Sequence, residues 1–247
     1  MPRSTTTGIA FAICLTASVV RGQASLPSCR QILIVTTPSW PATHGGLTIF
    51  ERDRRARFWR RAGPEIPVIL GQAGMGWGRG FIDTAGNFGP VKKEGDNRAP
   101  AGVFRLGLVF GRAHENPGTK MPYLRLTPDI VAVDDQRSRF YNQLVNQSEI
   151  NTPDWRSAER MILADHRYDL GVVVEHNIPP KAGAGSCIFL HVWKTPATLT
   201  TGCTAMAEGN LLKIIRWLDP ARHPLLVQMP RPVYEKLSKP WRLPQLP

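Results

Sequence analysis

The sequence predicts a mostly β fold, of the β-rich α+β class, built as one domain. The 22 glycines and 22 prolines among 247 residues are more than a helical bundle uses, and they suit short strands joined by turns. Short apolar, β-branched segments recur between such turn residues, whereas only two segments have helical spacing. With 42% hydrophobic and 20% charged residues, the chain can bury enough apolar surface to fold.

The predicted strands are apolar runs bounded by glycine, proline or other turn residues. The first, QILIVTT, is rich in β-branched residues, and the longest, APAGVFRLGLVFG, has glycines that indicate bends. The strands are expected at residues 31–37, 47–52, 66–71, 99–111, 130–135, 170–175, 187–193 and 224–229.

Two helices are expected. The first opens at Thr152-Pro153-Asp154, and the second runs over residues 208–218 and stops at Asp219-Pro220. In both, apolar residues three and four apart form one stripe, which is typical of an amphipathic helix. The stripes consist of Trp155, Ala158, Met161 and Ile162, and of Leu211, Ile214, Ile215 and Leu218.

The N-terminus resembles a secretory signal. Arg3 is the only charge before the apolar run of residues 9–20, and Gly22 and Ala24 are small residues suited to signal peptidase cleavage. That run is too short to span a bilayer, and no other segment approaches 18 uninterrupted apolar residues. We therefore expect a signal peptide at 1–24, one domain at 25–235, a Pro-rich tail at 236–247, no membrane span, and export to the periplasm or cell envelope.

The charge is strongly basic, with 31 Lys and Arg against 19 Asp and Glu, a formal net charge of +12. Such a chain is attracted to polyanions, namely nucleic acid, anionic lipid or anionic cell-wall polymer. Six arginines around two aromatic residues in segment 52–61 could bind nucleic acid, but a solvated hairpin face also explains them. Because the protein is expected to be exported, anionic cell-wall polymer is the expected partner and nucleic acid is not.

A cysteine and a histidine are the candidate catalytic residues. Export leaves Cys29, Cys187 and Cys203, an odd number, which suggests one disulfide and one free thiol in an oxidising compartment, although a buried inert cysteine is the alternative. His191 ends a buried-looking strand, and Cys203 follows Gly202 just before the second predicted helix. A helix N-terminus favours a thiolate, and its free N–H groups can hold an oxyanion. A thiol and an imidazole in this setting point to acyl transfer.

At these residues the chain resembles the L,D-transpeptidase catalytic domain of bacterial cell-wall enzymes. The motifs are a G-S-x-I-F-L-H strand at residues 185–191 and a T-x-G-C turn at residues 200–203. Further matching stretches lie at 100–104, 121–123, 133–135, 140–142 and 176–177. The resemblance implies a sandwich-like, mostly β domain with a helix after the nucleophile and one or two peripheral helices. It also implies attack by a cysteine on the L-centre to D-centre amide of a peptidoglycan stem peptide, followed by transfer of the acyl group to an amine.

The resemblance assigns roles residue by residue. Cys203 is the expected nucleophile and His191 the general base. Gly202, Thr201 and Thr204 are expected at the substrate and oxyanion positions, and the guesses for the residue that orients the base are Asn177 and His176. The family's commoner turn is S-H-G-C, and Thr201 replaces its histidine, so the base must come from His191.

Cys29 and Cys187 are expected to form a disulfide that leaves Cys203 as the free thiol, although Cys187 could instead fill a small core position. We expect no cofactor and no metal, because a zinc site of His176, His191 and Cys203 lacks any metal-binding spacing. The expected partner is the peptidoglycan stem peptide, and the expected state is a monomer. Two alternatives stay open: an L,D-carboxypeptidase or amidase that passes the acyl group to water, and a non-catalytic, basic wall-binding module.

Overall fold

The fold class is confirmed. The computed structural model describes residue 26, residues 29–54, residue 56, residues 58–82 and residues 88–247. Strands account for 34% of the described residues and helices for 11%, which is a β-rich α+β domain. The expected signal peptide, residues 1–24, lies outside the described residues.

The predicted strands all occur, β1 and β6 with the predicted ends and the others with shifted ends, and further short strands lie between them. In chain order the strands are β1 (Gln31–Thr37), β2 (His44–Glu51), β3 (Arg60–Arg61), β4 (Ile66–Ile69), β5 (Met75–Trp77), β6 (Ala99–Gly111), β7 (Tyr123–Arg125), β8 (Ile130–Val133), β9 (Gln143–Asn146), β10 (Ala158–Arg160), β11 (Leu170–Val174), β12 (Phe189–Val192), β13 (Thr204–Met206) and β14 (Leu225–Pro230).

Eight strands form a closed ring. Their order is β1-β14-β6-β11-β12-β13-β4-β2, and β2 also pairs with β1, so the first strand meets the last. The Thr204 hydroxyl donates a 2.6 Å hydrogen bond to Gln228 Oε1. Because their strands, β13 and β14, are not neighbours in the ring, this bond crosses the interior. Thr204 therefore points inward, and its neighbours Cys203 and Ala205 point outward.

A small second sheet covers the outer face of the ring near Cys203. Its strands lie in the order β10-β8-β9, and both pairings are antiparallel. An apolar cluster joins this sheet to the ring, and two layers packed face to face through apolar side chains are the arrangement of a sandwich. The buried residues of the cluster are Phe110, Leu126, Ile130, Ala132, Met161, Tyr168, Phe189 and Cys203.

One predicted helix is confirmed and the other is wrong. Helix α1 (Glu208–Trp217) buries Leu211, Ile214 and Ile215, as the stripe predicts. The segment expected to form a helix from Thr152 instead contains β10, whose three residues pair with β8. The helical spacing there is misleading, because Trp155 packs edge-on against Phe140 and so belongs to a different contact from the strand.

The C-terminal residues pack against the domain. Helix α2 (Arg231–Ser238) lies in a segment where the sequence pattern predicts no helix, and it spans the predicted boundary between domain and tail. Beyond it, Trp241 and Leu243 are buried, and the Tyr234 hydroxyl donates a 2.6 Å hydrogen bond to the Pro244 carbonyl. Among the described residues, no helix has both the length and the apolar character needed to cross a bilayer.

Candidate active site

Cys203 does not lie at a helix N-terminus, so that expectation is wrong. The strand β13 follows it directly, and α1 begins only at Glu208. The local reason is pairing: Thr204, Ala205 and Met206 continue the sheet beside β12 before the chain can turn into the helix. Cys203 therefore lies outside the first turn of α1, where the partial positive charge of a helix N-terminus would favour the thiolate.

The structure does bring His191 and Cys203 together. In the parallel pairing of β12 with β13, His191 lies opposite Ala205 and Leu190 lies opposite Thr204. Residues two apart share a face, so His191 and Cys203 project from the same outer face on neighbouring strands. Both line one cavity of about 20 Å³.

The thiol of Cys203 is buried and already hydrogen bonded. The Phe189 N–H donates to Cys203 Sγ at 3.3 Å, and the thiol donates to the Cys187 carbonyl at 3.7 Å. Burial is the main cause that raises the pKa of Cys203 to about 12, and the nearby carboxyl group of Glu159 adds to it. At neutral pH the sulfur is therefore a thiol and not a thiolate.

His191 is held as a neutral base. Its Nδ1 lies 2.8 Å from the carbonyl oxygen of Val192, and because a carbonyl only accepts, Nδ1 carries the proton. Nε2 is then left with a lone pair. Burial is the main cause that lowers the pKa of His191 to about 4, so the imidazole is uncharged at neutral pH. A backbone carbonyl thus orients the ring, and no sequence pattern points to it.

The structure does not place His176 or Asn177 in the orienting role, so both guesses are wrong. His176 Nε2 donates to the Ala184 carbonyl at 2.9 Å. Asn177 donates to the carbonyls of Lys181 and Gly185, at 3.0 and 2.9 Å, and accepts from the Lys181 N–H. These bonds close the loop that precedes β12. Both residues therefore act on the position of that strand and not on the imidazole.

The turn before Cys203 is shaped by Gly202 and Thr200. Gly202 has φ +151°, and a Cβ atom there would lie 3.1 Å from the Arg98 carbonyl oxygen. The Thr200 hydroxyl donates to the Cys203 carbonyl at 2.6 Å and accepts from the Gly202 N–H at 3.2 Å. Glycine at this position therefore avoids both the backbone strain of a positive φ and a close contact with the protein's own Arg98 carbonyl.

The two threonines beside the turn differ in position. Thr201 is exposed and lines the cavity that holds His191 and Cys203. The side chain of Thr204 points into the ring, towards Gln228, so it does not face that cavity. Thr204 is therefore not at the expected substrate position.

The expected disulfide between Cys29 and Cys187 is wrong, since Cys29, Cys187 and Cys203 are all free thiols. Cys29 donates to the Gln31 carbonyl at 3.1 Å, and Cys187 lies 3.5 Å from the Val133 carbonyl. The two pack in different apolar clusters. Cys187 is half-buried and packs against the second apolar cluster.

Tyr168 and Glu159 belong to the site although the sequence did not single them out. The Tyr168 ring packs edge-on against His191, with centroids 5.2 Å apart, and lines the same cavity. Its hydroxyl donates to Glu159 at 2.8 Å, and burial raises the pKa of Glu159. The pair lies far from Cys203 in sequence. Glu159 lies in β10, which pairs with β8, and Tyr168 precedes β11, which pairs with the strand of His191.

A loop covers the small cavity. Residues 194–199 are exposed, and the Thr195 hydroxyl bonds within the loop, to Thr198 and to the Ala197 N–H. Its ends are anchored by backbone bonds, from Trp193 to Met206 and from Thr200 to Leu70. A larger, mostly apolar cavity of about 230 Å³ is lined by Cys187 and Phe189, and Cys203 does not line it.

Among the described residues, no group of three or more His, Cys, Asp or Glu side chains is placed to hold a metal ion. Comparisons of the chain with protein-family models, with curated proteins and with solved structures give no match. The candidate site therefore rests on its geometry and on the motifs of the sequence.

Proposed function

We propose that this protein is an exported cysteine acyltransferase that remodels or cross-links peptidoglycan stem peptides by L,D-transpeptidation. One observation carries the proposal. His191 and Cys203 project from the same face of neighbouring strands, and the Val192 carbonyl holds Nδ1 so that Nε2 is free to take a proton. The T-x-G-C turn and the G-S-x-I-F-L-H strand supply the substrate class through the family they resemble.

In the proposed reaction, Nε2 of His191 accepts the thiol proton while Cys203 Sγ attacks the amide carbonyl carbon. The tetrahedral intermediate collapses to a thioester as the imidazolium returns the proton to the departing amine. An amine from a second stem peptide then attacks the thioester carbonyl and gives its proton to His191. The new amide forms, the C–S bond breaks, and the sulfur takes back the proton.

The resting state of the pair is neutral. Burial raises the pKa of Cys203 to about 12 and lowers that of His191 to about 4, so an imidazolium–thiolate pair is unfavourable before substrate binds. Proton transfer must therefore accompany attack, after the thiol turns away from the Cys187 carbonyl towards Nε2. The loop 194–199 has to move as well, because a cavity of about 20 Å³ does not admit a peptide.

The test is the mass of the intact protein after incubation with a stem tetrapeptide. The wild type should gain the mass of the acyl group, and Cys203→Ala should not. Cys187→Ala and Cys29→Ala are matched controls that should keep the adduct. An adduct that persists in Cys203→Ala would remove the assignment. His191→Gln should slow the adduct's formation, and an unchanged rate would mean that another group is the base.

A second candidate, a non-catalytic wall-binding module, is favoured by one observation: Cys203 is only 6% exposed. This candidate predicts no adduct and binding to anionic wall polymer that weakens with added salt. If an adduct forms, adding an amine acceptor distinguishes a transpeptidase from a carboxypeptidase or amidase. A transpeptidase gives a new amide, whereas a carboxypeptidase or amidase gives only the hydrolysed acid.

A further inference from the structure

A buried lysine lies next to the Gly202–Cys203 turn. The side chain of Lys92 is only 3% exposed, and its ammonium forms a 2.6 Å ion pair with Asp96. A lysine is almost never fully buried unless it is paired, because the loss of hydration is unfavourable. The reaction described above does not use Lys92, so the burial of its ammonium beside this turn calls for another explanation.

The ammonium is held from one side by a hydrogen-bonded loop. Asp96 accepts hydrogen bonds from Lys92 Nζ, from the Lys93 N–H at 2.7 Å and from the Arg98 N–H at 3.0 Å. Lys92 Nζ also donates to the Lys93 carbonyl at 2.9 Å. Two of its three N–H bonds are thus directed into the loop.

Its other side faces the candidate site. A Cβ atom on Gly202 would lie 3.7 Å from Lys92 Nζ, and one on Gly185 would lie 2.8 Å from Lys92 Cε. The lysine therefore packs between the turn that carries the nucleophile and the loop that leads into β12. In such a dry place a unit charge acts over several ångströms with little screening.

We propose that Lys92 is a positioning residue of the site, whose ammonium, fixed by Asp96 behind Gly202, stabilises the negative charge that forms on Cys203 Sγ when the thiol loses its proton. The inference rests on the proposed function for its biological meaning, but it concerns the thiol itself. The effect is electrostatic and acts across the Gly202 peptide, without a direct bond to sulfur.

Other charged or titratable groups also lie near the Cys203 thiol and near the Lys92 ammonium. Lys92 is one of the groups that lower the pKa of Cys203, together with Arg167, whereas Glu159 raises it. Near Lys92, His176 is neutral at neutral pH, because burial, and to a lesser degree the charge of Lys92, lower the pKa of His176 to about 4. The groups that face the thiol or the ammonium are Asp96, Glu159, Arg167, Tyr168, His176 and His191.

The experiment measures alkylation of Cys203 by iodoacetamide in the full chain between pH 8 and pH 10. Intact mass gives the rate, and peptide mapping separates Cys203 from Cys29 and Cys187. Lys92→Met should react about tenfold more slowly at each pH, because the loss of one buried unit charge beside the turn changes thiolate formation by about that factor. Lys92→Arg should stay within about threefold of wild type. The exposed Lys120, paired with Asp219, is the control, and Lys120→Met should change nothing.

Asp96→Asn separates this role from a purely structural one. If the ion pair only holds the loop, Lys92→Met and Asp96→Asn should both slow alkylation or both leave it unchanged. If the ammonium acts on the thiol, Asp96→Asn leaves its charge uncompensated, and the rate should equal or exceed that of wild type. If Lys92→Met does not fold, the alkylation rate of Asp96→Asn still tests whether the ammonium acts on the thiol.

A slower Asp96→Asn, an unchanged Lys92→Met, or a wild-type Cys203 that stays unmodified at pH 10 would overturn the proposal. The readout is independent of the acyl-enzyme test. If alkylation depends on Lys92 but no stem-peptide adduct forms, only the proposed function fails. If wild type and Lys92→Met form the adduct at equal rates, only the role of Lys92 fails.

Discussion

Acid should destabilise this domain through its buried histidines, and His176→Gln isolates one of them. Burial is the main cause that lowers the pKa of His176 to about 4 from its usual 6.5. Between these values the unfolded chain binds a proton that the folded chain does not, so stability is full above pH 6.5 and is lost as the pH falls towards 4.

The size of this loss of stability follows from the pH interval between the two pKa values. Each pH unit within it is equivalent to about 1.4 kcal/mol, so lowering the pH from 6.5 to 5 removes about 2 kcal/mol of the free energy of unfolding through His176. His191, with a pKa also lowered to about 4, should contribute a similar loss. Domains of this kind are stable by only about 5–15 kcal/mol, so the effect is large.

The assay is urea unfolding at pH 7 and pH 5, followed by tryptophan fluorescence. Glutamine keeps a donor for the Ala184 carbonyl but does not titrate, so His176→Gln should lose about 2 kcal/mol less than wild type between the two pH values. The same substitution at the exposed His114 is the control and should leave the difference unchanged. If His176→Gln and wild type lose equal stability, the argument from burial is refuted.

Three further predictions concern the packing. Thr204→Val should lower the free energy of unfolding by about 1–3 kcal/mol in a urea titration, because it leaves Gln228 Oε1 unpaired inside the ring; an unchanged midpoint would contradict this bond. Trp241→Ala should lower it by about 3 kcal/mol, since this side chain is only 9% exposed, whereas a free tail predicts no change. When the chain is unfolded in denaturant without reductant, iodoacetamide should modify both Cys29 and Cys187. If both were protected, the disulfide between them would be supported after all.

The sequence predicts the strands well where the apolar run itself decides the structure. The 13 residues of β6 and the stripe of α1 have the expected bounds or nearly so, because burial of a continuous face fixes them. Three-residue strands such as β10 and β13 carry too little pattern to be distinguished from a helix or a loop. They exist because a longer neighbour, β8 or β12, offers an unpaired edge.

The candidate site also consists of residues that the sequence predicts and of groups that it does not. Cys203 and His191 stand out as chemical types in a recognisable motif, and the sheet register places them on one face. The groups that act on them are distant in sequence or lie in the backbone: the Val192 carbonyl, the Tyr168–Glu159 pair and Lys92. No residue type or spacing indicates a carbonyl that orients a ring, and a lysine in a charged turn normally faces solvent.

The most direct test of the central claim is the intact mass of the wild-type protein and of Cys203→Ala after incubation with a stem tetrapeptide, with the site mapped by peptide fragmentation. The account predicts a thioester-bound acyl group on Cys203 in the wild type and none in the variant. A wild-type mass that stays unchanged, or an adduct that maps to another residue, would contradict it.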